Sequence, residues 1–125
     1  MYQLFLVMLG GAIGSGLRFL TNIAAIRLVG SGFPWGTFAV NVLGSFLMGL
    51  FVELLARRLN APAELRLFVA TGILGGFTTF SAFSLDFAVL AGRGDHVQAY
   101  VYVAASVLIS IAALFVGLWV AKCLA

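Results

Sequence analysis

Charged residues are scarce in this chain of 125 residues, where seven Lys or Arg and four Asp or Glu make up 9% of the sequence. A soluble domain typically carries about 25% charged residues. Because 63% of the residues are hydrophobic, a soluble fold of this length could not bury so much apolar surface. The composition therefore excludes a soluble domain and leaves little of the chain for a region outside a membrane.

Residues for metal binding and catalysis are equally few. Cys123 is the single cysteine, which excludes an intrachain disulfide and a cysteine-based metal site. The single histidine, His96, has Asp95 as its only adjacent acid, and no nucleophile and base stand together in the sequence. The glycines of GILGG at 72–76 lie in no strand-to-helix context, so they do not indicate a nucleotide-binding loop. We predict that the protein is not an enzyme.

The chain does contain four long apolar stretches. Each approaches or exceeds the roughly 20 residues that a helix needs to cross a bilayer. A signal peptide could account only for the first stretch, and residues 1–3 carry no basic side chain. We predict an all-α membrane protein with a single transmembrane domain over residues 1–125 and helices at approximately 4–26, 35–56, 65–92 and 97–121.

The few basic residues are divided almost evenly between the two sides of the predicted membrane. One side carries Arg57, Arg58, Arg66 and Lys122, and the other carries Arg27 and Arg93. This contrast is too small to fix one orientation by the positive-inside rule, so we expect insertion in both orientations. The scattered charges fit lipid headgroups and not nucleic acid.

The number of spans also bears on assembly. A bundle of four helices fills its own centre with side chains. A pathway for a solute would therefore require an oligomer, and the many small residues of the spans permit close helix approach.

The third apolar stretch has an unusual centre. Gly75 and Gly76 are followed by four hydroxyl side chains, Thr78, Thr79, Ser81 and Ser84. Glycine lowers helix stability, and hydroxyls can satisfy backbone groups that an interrupted helix frees inside a membrane. We predict a helix that is broken near 75–79 at the membrane midplane, of the kind that builds ion sites from carbonyls and helix ends.

Aromatic and amide side chains lie close to this predicted break or on the neighbouring span. Phe80 and Phe83 share one helix face, and the positive edges of their rings could accept an anion, although packing alone would also explain them. Asn41 in the second stretch is predicted to face protein or water. A hydrogen bond between helices is the simpler explanation for this amide.

The fourth stretch places three hydroxyls, Tyr102, Ser106 and Ser110, at intervals of four residues along one helix face. They could form a polar track beside a pore, or the serines could bond only to their own backbone. Arg18 in the first stretch is costly in lipid unless it reaches the headgroups or a protein partner.

Three segments together resemble the Fluc (CrcB-type) family of fluoride channels. The most specific is GGFTTFSAFS at 75–84, and the others are WGTFAVNVLGSFLMG at 35–49 and GGAIGSGLRF at 10–19. The resemblance covers most of the chain, with the same order and similar spacing. Two mild departures are Ala82, where the family more often has Thr, and Phe19, where Tyr is common.

The resemblance implies an antiparallel, dual-topology homodimer with two pores. It also implies a structural sodium ion at the dimer centre, bound by the backbone carbonyls of Gly75 and Thr78 from both copies. By the same resemblance, the fluoride pore is formed by Asn41, Phe80, Phe83, Tyr102, Ser106 and Ser110.

The expected function is passive, fluoride-selective export across a bacterial plasma membrane, which lowers cytoplasmic fluoride. One alternative is a small dual-topology multidrug exporter. Such exporters depend on a carboxylate in the first helix, and this first stretch has Arg18 but no Asp or Glu. A noncatalytic subunit of a larger membrane complex is a further alternative.

Overall fold

The computed structural model describes residues 1–58 and 61–124, which form helices and no strands. Four helical spans are long and apolar enough to cross a membrane, namely Tyr2–Val29, Trp35–Arg57, Ala63–Gly92 and His96–Leu124. We call them the first to fourth spans. The predicted all-helical membrane protein with four spans is confirmed.

The third span is not a uniform α-helix. Its first half, residues 63–77, is helical, and its second half is the α-helix Phe80–Gly92. Between the halves, the backbone of Thr78 and Thr79 is extended, with ψ angles of 158° and 125°. The first half consists of α-helix Ala63–Arg66, π-helix Leu67–Leu74 and α-helix Gly75–Phe77.

Glycines let the first span pack closely against the first half of the third. A Cβ atom on Gly10 or Gly14 would collide with the third-span backbone between residues 68 and 77. Gly76 is equally close to the backbone of Gly11 on the opposite helix. Small residues allow such backbone approach in membranes, where van der Waals packing drives helix association.

The second and fourth spans form another close pair. Gly49 faces the carbonyl of Leu114, and Gly117 faces the carbonyl of Phe46, with no room for a Cβ at either glycine. The fourth span also contacts the second half of the third span. The two halves of the third span therefore pack against different neighbours.

The outer surface of the bundle is apolar. On the fourth span, Leu108, Phe115 and Trp119 are each more than 60% exposed. In water such exposure would be costly, at about 25 cal/mol for each Å² of apolar area. In a bilayer these side chains contact lipid, so their exposure is consistent with a membrane-spanning fold.

Candidate functional site

The extended residues of the third span keep several local hydrogen bonds. Thr78 donates both its backbone N–H and its hydroxyl to the Leu74 carbonyl, at 3.1 and 3.0 Å. The Thr79 hydroxyl accepts the backbone N–H of Ala82 at 3.1 Å and so caps the second half. Threonine at these two positions closes one helix and starts the next, as side-chain caps do elsewhere.

Asn41 of the second span bonds to the backbone between the two halves. Its Nδ2 donates to the Thr79 carbonyl at 3.0 Å, and its Oδ1 accepts the Thr79 N–H at 2.8 Å. The Asn41 amide thus bonds to both the N–H and the C=O of Thr79, a residue that belongs to neither helix. This is the hydrogen bond between helices that the sequence offered as one alternative. Because an amide nitrogen carries two hydrogens, one N–H of Asn41 remains for another acceptor.

A cavity of about 310 Å³, which we call the polar cavity, lies beside Thr78 and Thr79. Five of the six residues predicted to form the pore line it, and no charged residue is among the described residues of its wall. The predicted residues are Asn41, Phe80, Phe83, Ser106 and Ser110, and the others are Ser45, Thr78, Thr79, Val107 and Ile111.

Two hydroxyls in the wall of the polar cavity have no hydrogen-bond partner among the described residues. They are the buried Oγ atoms of Ser106 and Ser110. Neither serine bonds to the carbonyl of its own preceding turn, which was the alternative to a polar track. A buried hydroxyl without a partner costs about 1–3 kcal/mol, so a ligand that accepts hydrogen bonds would stabilise both.

The two phenylalanines contact each other in the wall but differ in exposure. Their ring centroids lie 5.5 Å apart with planes tilted by 53°. Phe83 is 8% exposed, whereas Phe80 is 77% exposed in the single chain. One wall of the cavity is therefore formed by a side chain that the rest of the chain leaves mostly uncovered.

The remaining predicted pore residue, Tyr102, does not line the polar cavity. Its side chain is fully buried, and its hydroxyl donates to Asp86 Oδ2 at 3.0 Å. Its ring lies behind Phe83, with centroids 5.2 Å apart. The spacing of four residues placed Tyr102 on the same face as the serines, but the longer side chain reaches the third span instead.

A second cavity, which we call the end cavity, has a volume of about 370 Å³. It lies where the connection 30–34 between the first two spans meets the last turns of the third span. Its polar and charged wall residues are Asn22, Ser31, Thr37, Asp86 and Arg93. Sequence reasoning did not group these residues, since they are separated by up to 71 positions.

The carbonyls of Gly75 and Thr78, predicted to bind sodium, lie on either side of the helix end at Phe77. Apart from bonds within the regular helices, neither carbonyl accepts a hydrogen bond from any residue that the structure describes. Groups of three or more His, Cys, Asp or Glu that could bind a metal are also absent from residues 1–58 and 61–124. Main-chain carbonyl oxygens are of the kind that suits a hard cation.

These features define a small polytopic membrane protein with an uncharged, hydrogen-bonding cavity beside the extended residues Thr78 and Thr79 of its third span. The family described as CrcB-like protein, Camphor Resistance (CrcB), matches residues 5–118. The chain belongs to this family, which confirms the resemblance seen in its sequence.

Curated relatives match over nearly the whole chain. A protein of Chelativorans sp. (strain BNC1) is 64% identical over 122 residues, 98% of each chain. A protein of Mesorhizobium japonicum is 60% identical over 124 residues, 99% of each chain. A protein of Rhizobium etli (strain CIAT 652) is 59% identical over 125 residues, 100% of each chain. All three are named fluoride-specific ion channel FluC.

Proposed function

We propose that this protein is a fluoride-selective channel of the bacterial inner membrane, through which fluoride leaves the cytoplasm down its electrochemical gradient. The observation that carries this proposal is the polar cavity, where the hydroxyls of Ser106 and Ser110 lack partners in a wall without charged residues. Its relatives, named fluoride-specific ion channels, support the choice of ion. The function is transport and not enzymatic, as the sequence predicted.

The chemistry of the cavity wall suits a small, strongly hydrated anion. Fluoride must exchange its water for other hydrogen-bond donors before it can cross a pore. The hydroxyls of Ser106 and Ser110 and the second N–H of Asn41 supply such donors. The edges of Phe80 and Phe83 add weak positive potential without a full charge. An anion can therefore enter and also leave, because no lysine or arginine in the described wall traps it.

The pore is complete only in an antiparallel homodimer. Phe80 lines the cavity yet is 77% exposed, so this wall of the cavity is open to a second copy. The near balance of basic residues on the two sides permits both orientations in one membrane. A dimer of this kind has two equivalent pores, each bounded by both copies.

The extended residues of the third span lie at the bilayer midplane, where a structural sodium ion would be bound. The backbone carbonyls of Gly75 and Thr78 from both copies would hold it. When bound, sodium supplies a positive charge that balances the carbonyl ends of the interrupted helices. Asn41 holds Thr79 in place through the two bonds to its backbone.

The decisive experiment is fluoride efflux from liposomes that contain the purified protein, recorded with a fluoride electrode and with a potassium ionophore to clamp the voltage. We expect rapid fluoride release and no chloride release in a parallel trial. If neither ion leaves while the dimer is folded and sodium is present, the fluoride channel is refuted and exchange of organic cations is tested next.

A second trial tests sodium. Replacement of sodium by a large organic cation throughout purification and assay should abolish fluoride efflux, and sodium added back should restore it. Full efflux without sodium would refute the metal part of the proposal and leave the channel intact.

A further inference from the structure

Arg93 joins two connections on the same side of the bundle. Its Nη2 donates to the carbonyl of Gly32 at 2.9 Å, in the connection between the first and second spans. Its Nε lies 3.4 Å from Asp95 Oδ2, in the turn between the third and fourth spans. The planar guanidinium can serve both groups at once, which a lysine ammonium cannot do with the same geometry.

The connection that Arg93 holds carries an aromatic side chain into the bundle. Phe33 follows Gly32, and its ring meets Tyr102 edge to face, with centroids 5.4 Å apart and planes at 90°. Phe33 also contacts Trp35 at 4.7 Å between centroids. Because Phe33 directly follows Gly32, a shift of the Gly32 backbone would move the Phe33 ring relative to Tyr102.

Tyr102 in turn supports the wall of the polar cavity. Its hydroxyl bonds to Asp86, and its ring lies 5.2 Å from the Phe83 ring that lines the cavity. Phe83 and Tyr102 belong to one buried apolar cluster, against which Phe33 packs. A continuous row of contacts thus leads from Arg93 at the end of the bundle, through Phe33 and Tyr102, to Phe83.

We infer that Arg93 is a positioning residue for the permeation pathway, acting through Phe33 and Tyr102 on Phe83. This inference rests on the proposed function, because it assigns Phe83 to the path of fluoride. Arg93 is not among the described residues that line the polar cavity, and its side chain is 45% exposed. Its effect on conduction is therefore transmitted by packing, and the competing explanation is simple attraction of the anion by a positive charge.

The test compares Arg93→Gln, Arg93→Lys and the matched control Arg27→Gln. Arg27 is an exposed arginine on the same side of the membrane, without a side-chain hydrogen bond or ion pair among the described residues. Each variant is made with Trp119→Phe, so that Trp35 is the sole tryptophan. Two quantities are measured on the reconstituted dimer: fluoride efflux and acrylamide quenching of Trp35 fluorescence.

We expect Arg93→Gln to slow efflux by roughly two- to thirtyfold, the range for residues that act through packed neighbours. Acrylamide quenching of Trp35 fluorescence should increase in the same variant, because Arg93 would no longer hold the connection 30–34. Arg93→Lys should recover only part of both readouts, and Arg27→Gln should change neither.

Equal loss of efflux in Arg93→Gln and Arg27→Gln, with unchanged quenching, would identify a charge effect and overturn the inference. So would full recovery by Arg93→Lys, or efflux and quenching in Arg93→Gln that match the parent. If the parent itself releases no fluoride, the proposed function fails. The quenching measurement, which needs no flux, still reports separately whether Arg93 holds the connection.

Discussion

Removal of the Asn41 amide should destabilise the protein as well as slow conduction. Asn41→Leu keeps a similar side-chain volume but removes both bonds to Thr79, which are 3.0 and 2.8 Å long. Thr79 is 8% exposed, so its N–H and C=O would be left without partners away from water. Each such group costs about 1–3 kcal/mol, and the two together give about 2–6 kcal/mol.

Asn41→Asp separates the two bonds. The carboxylate can still accept the Thr79 N–H but cannot donate to the Thr79 carbonyl. We expect it to lose about half of the stability lost by Asn41→Leu, roughly 1–3 kcal/mol. Its negative charge beside the polar cavity should also repel fluoride, so efflux should fall further than stability alone explains.

The assay is thermal or denaturant-induced unfolding of the detergent-purified protein, followed by circular dichroism and size-exclusion chromatography. Ser45→Ala is the control, because Ser45 also lines the cavity on the second span but has no hydrogen bond to the third span among the described residues. It should lose about 1 kcal/mol or less. If Asn41→Leu unfolds at the same temperature or denaturant concentration as the parent while its fluoride efflux is reduced, the amide acts only on the ion. Our structural reasoning is then refuted.

Five other substitutions test the cavity and the packing. Ser106→Ala and Ser110→Ala remove hydroxyls that have no partner among the described residues, so the stability of the protein should not fall. Fluoride efflux should fall about tenfold or more, as expected for a lost hydrogen bond to a charged group. Unchanged efflux would exclude both serines from the fluoride path. Phe83→Ile should reduce efflux while the protein elutes from gel filtration at the same volume as the parent. Efflux equal to that of the parent would remove the ring from the pathway. Gly14→Ala should destabilise the fold by about 1–3 kcal/mol through overpacking, because its Cβ would meet the Ile73 carbonyl. A Cβ at Gly16 would meet no atom within 4 Å, so Gly16→Ala should leave stability unchanged or raise it. Equal melting temperatures for Gly14→Ala and Gly16→Ala would contradict the packing described.

The sequence predicted the four spans well because hydrophobic length is a local property. Runs of apolar residues near 20 long allow few structures other than membrane helices. The prediction of a break near 75–79 also rests on local residues, since glycine and threonine act on the backbone beside them. These features need no knowledge of which spans are neighbours.

Contacts between spans could not be read in the same way. Asn41 and Thr79 are 38 residues apart, and only the packing of the second span against the third brings the amide to that backbone. Tyr102 shares a helix face with Ser106, but side-chain length and the position of Asp86 decide where its hydroxyl binds. The bond from Arg93 to Gly32 joins two connections whose sequences contain no signal for each other.

The division of the third span between two neighbours has a mechanical consequence. Its first half is fixed to the first span by glycine contacts, and its second half lies against the fourth span and contributes Phe80 and Phe83 to the polar cavity. The extended residues Thr78 and Thr79 therefore join two helices that pack against different spans. We expect that a small tilt of the second helix would change the width of the polar cavity without disturbing the glycine contacts of the first.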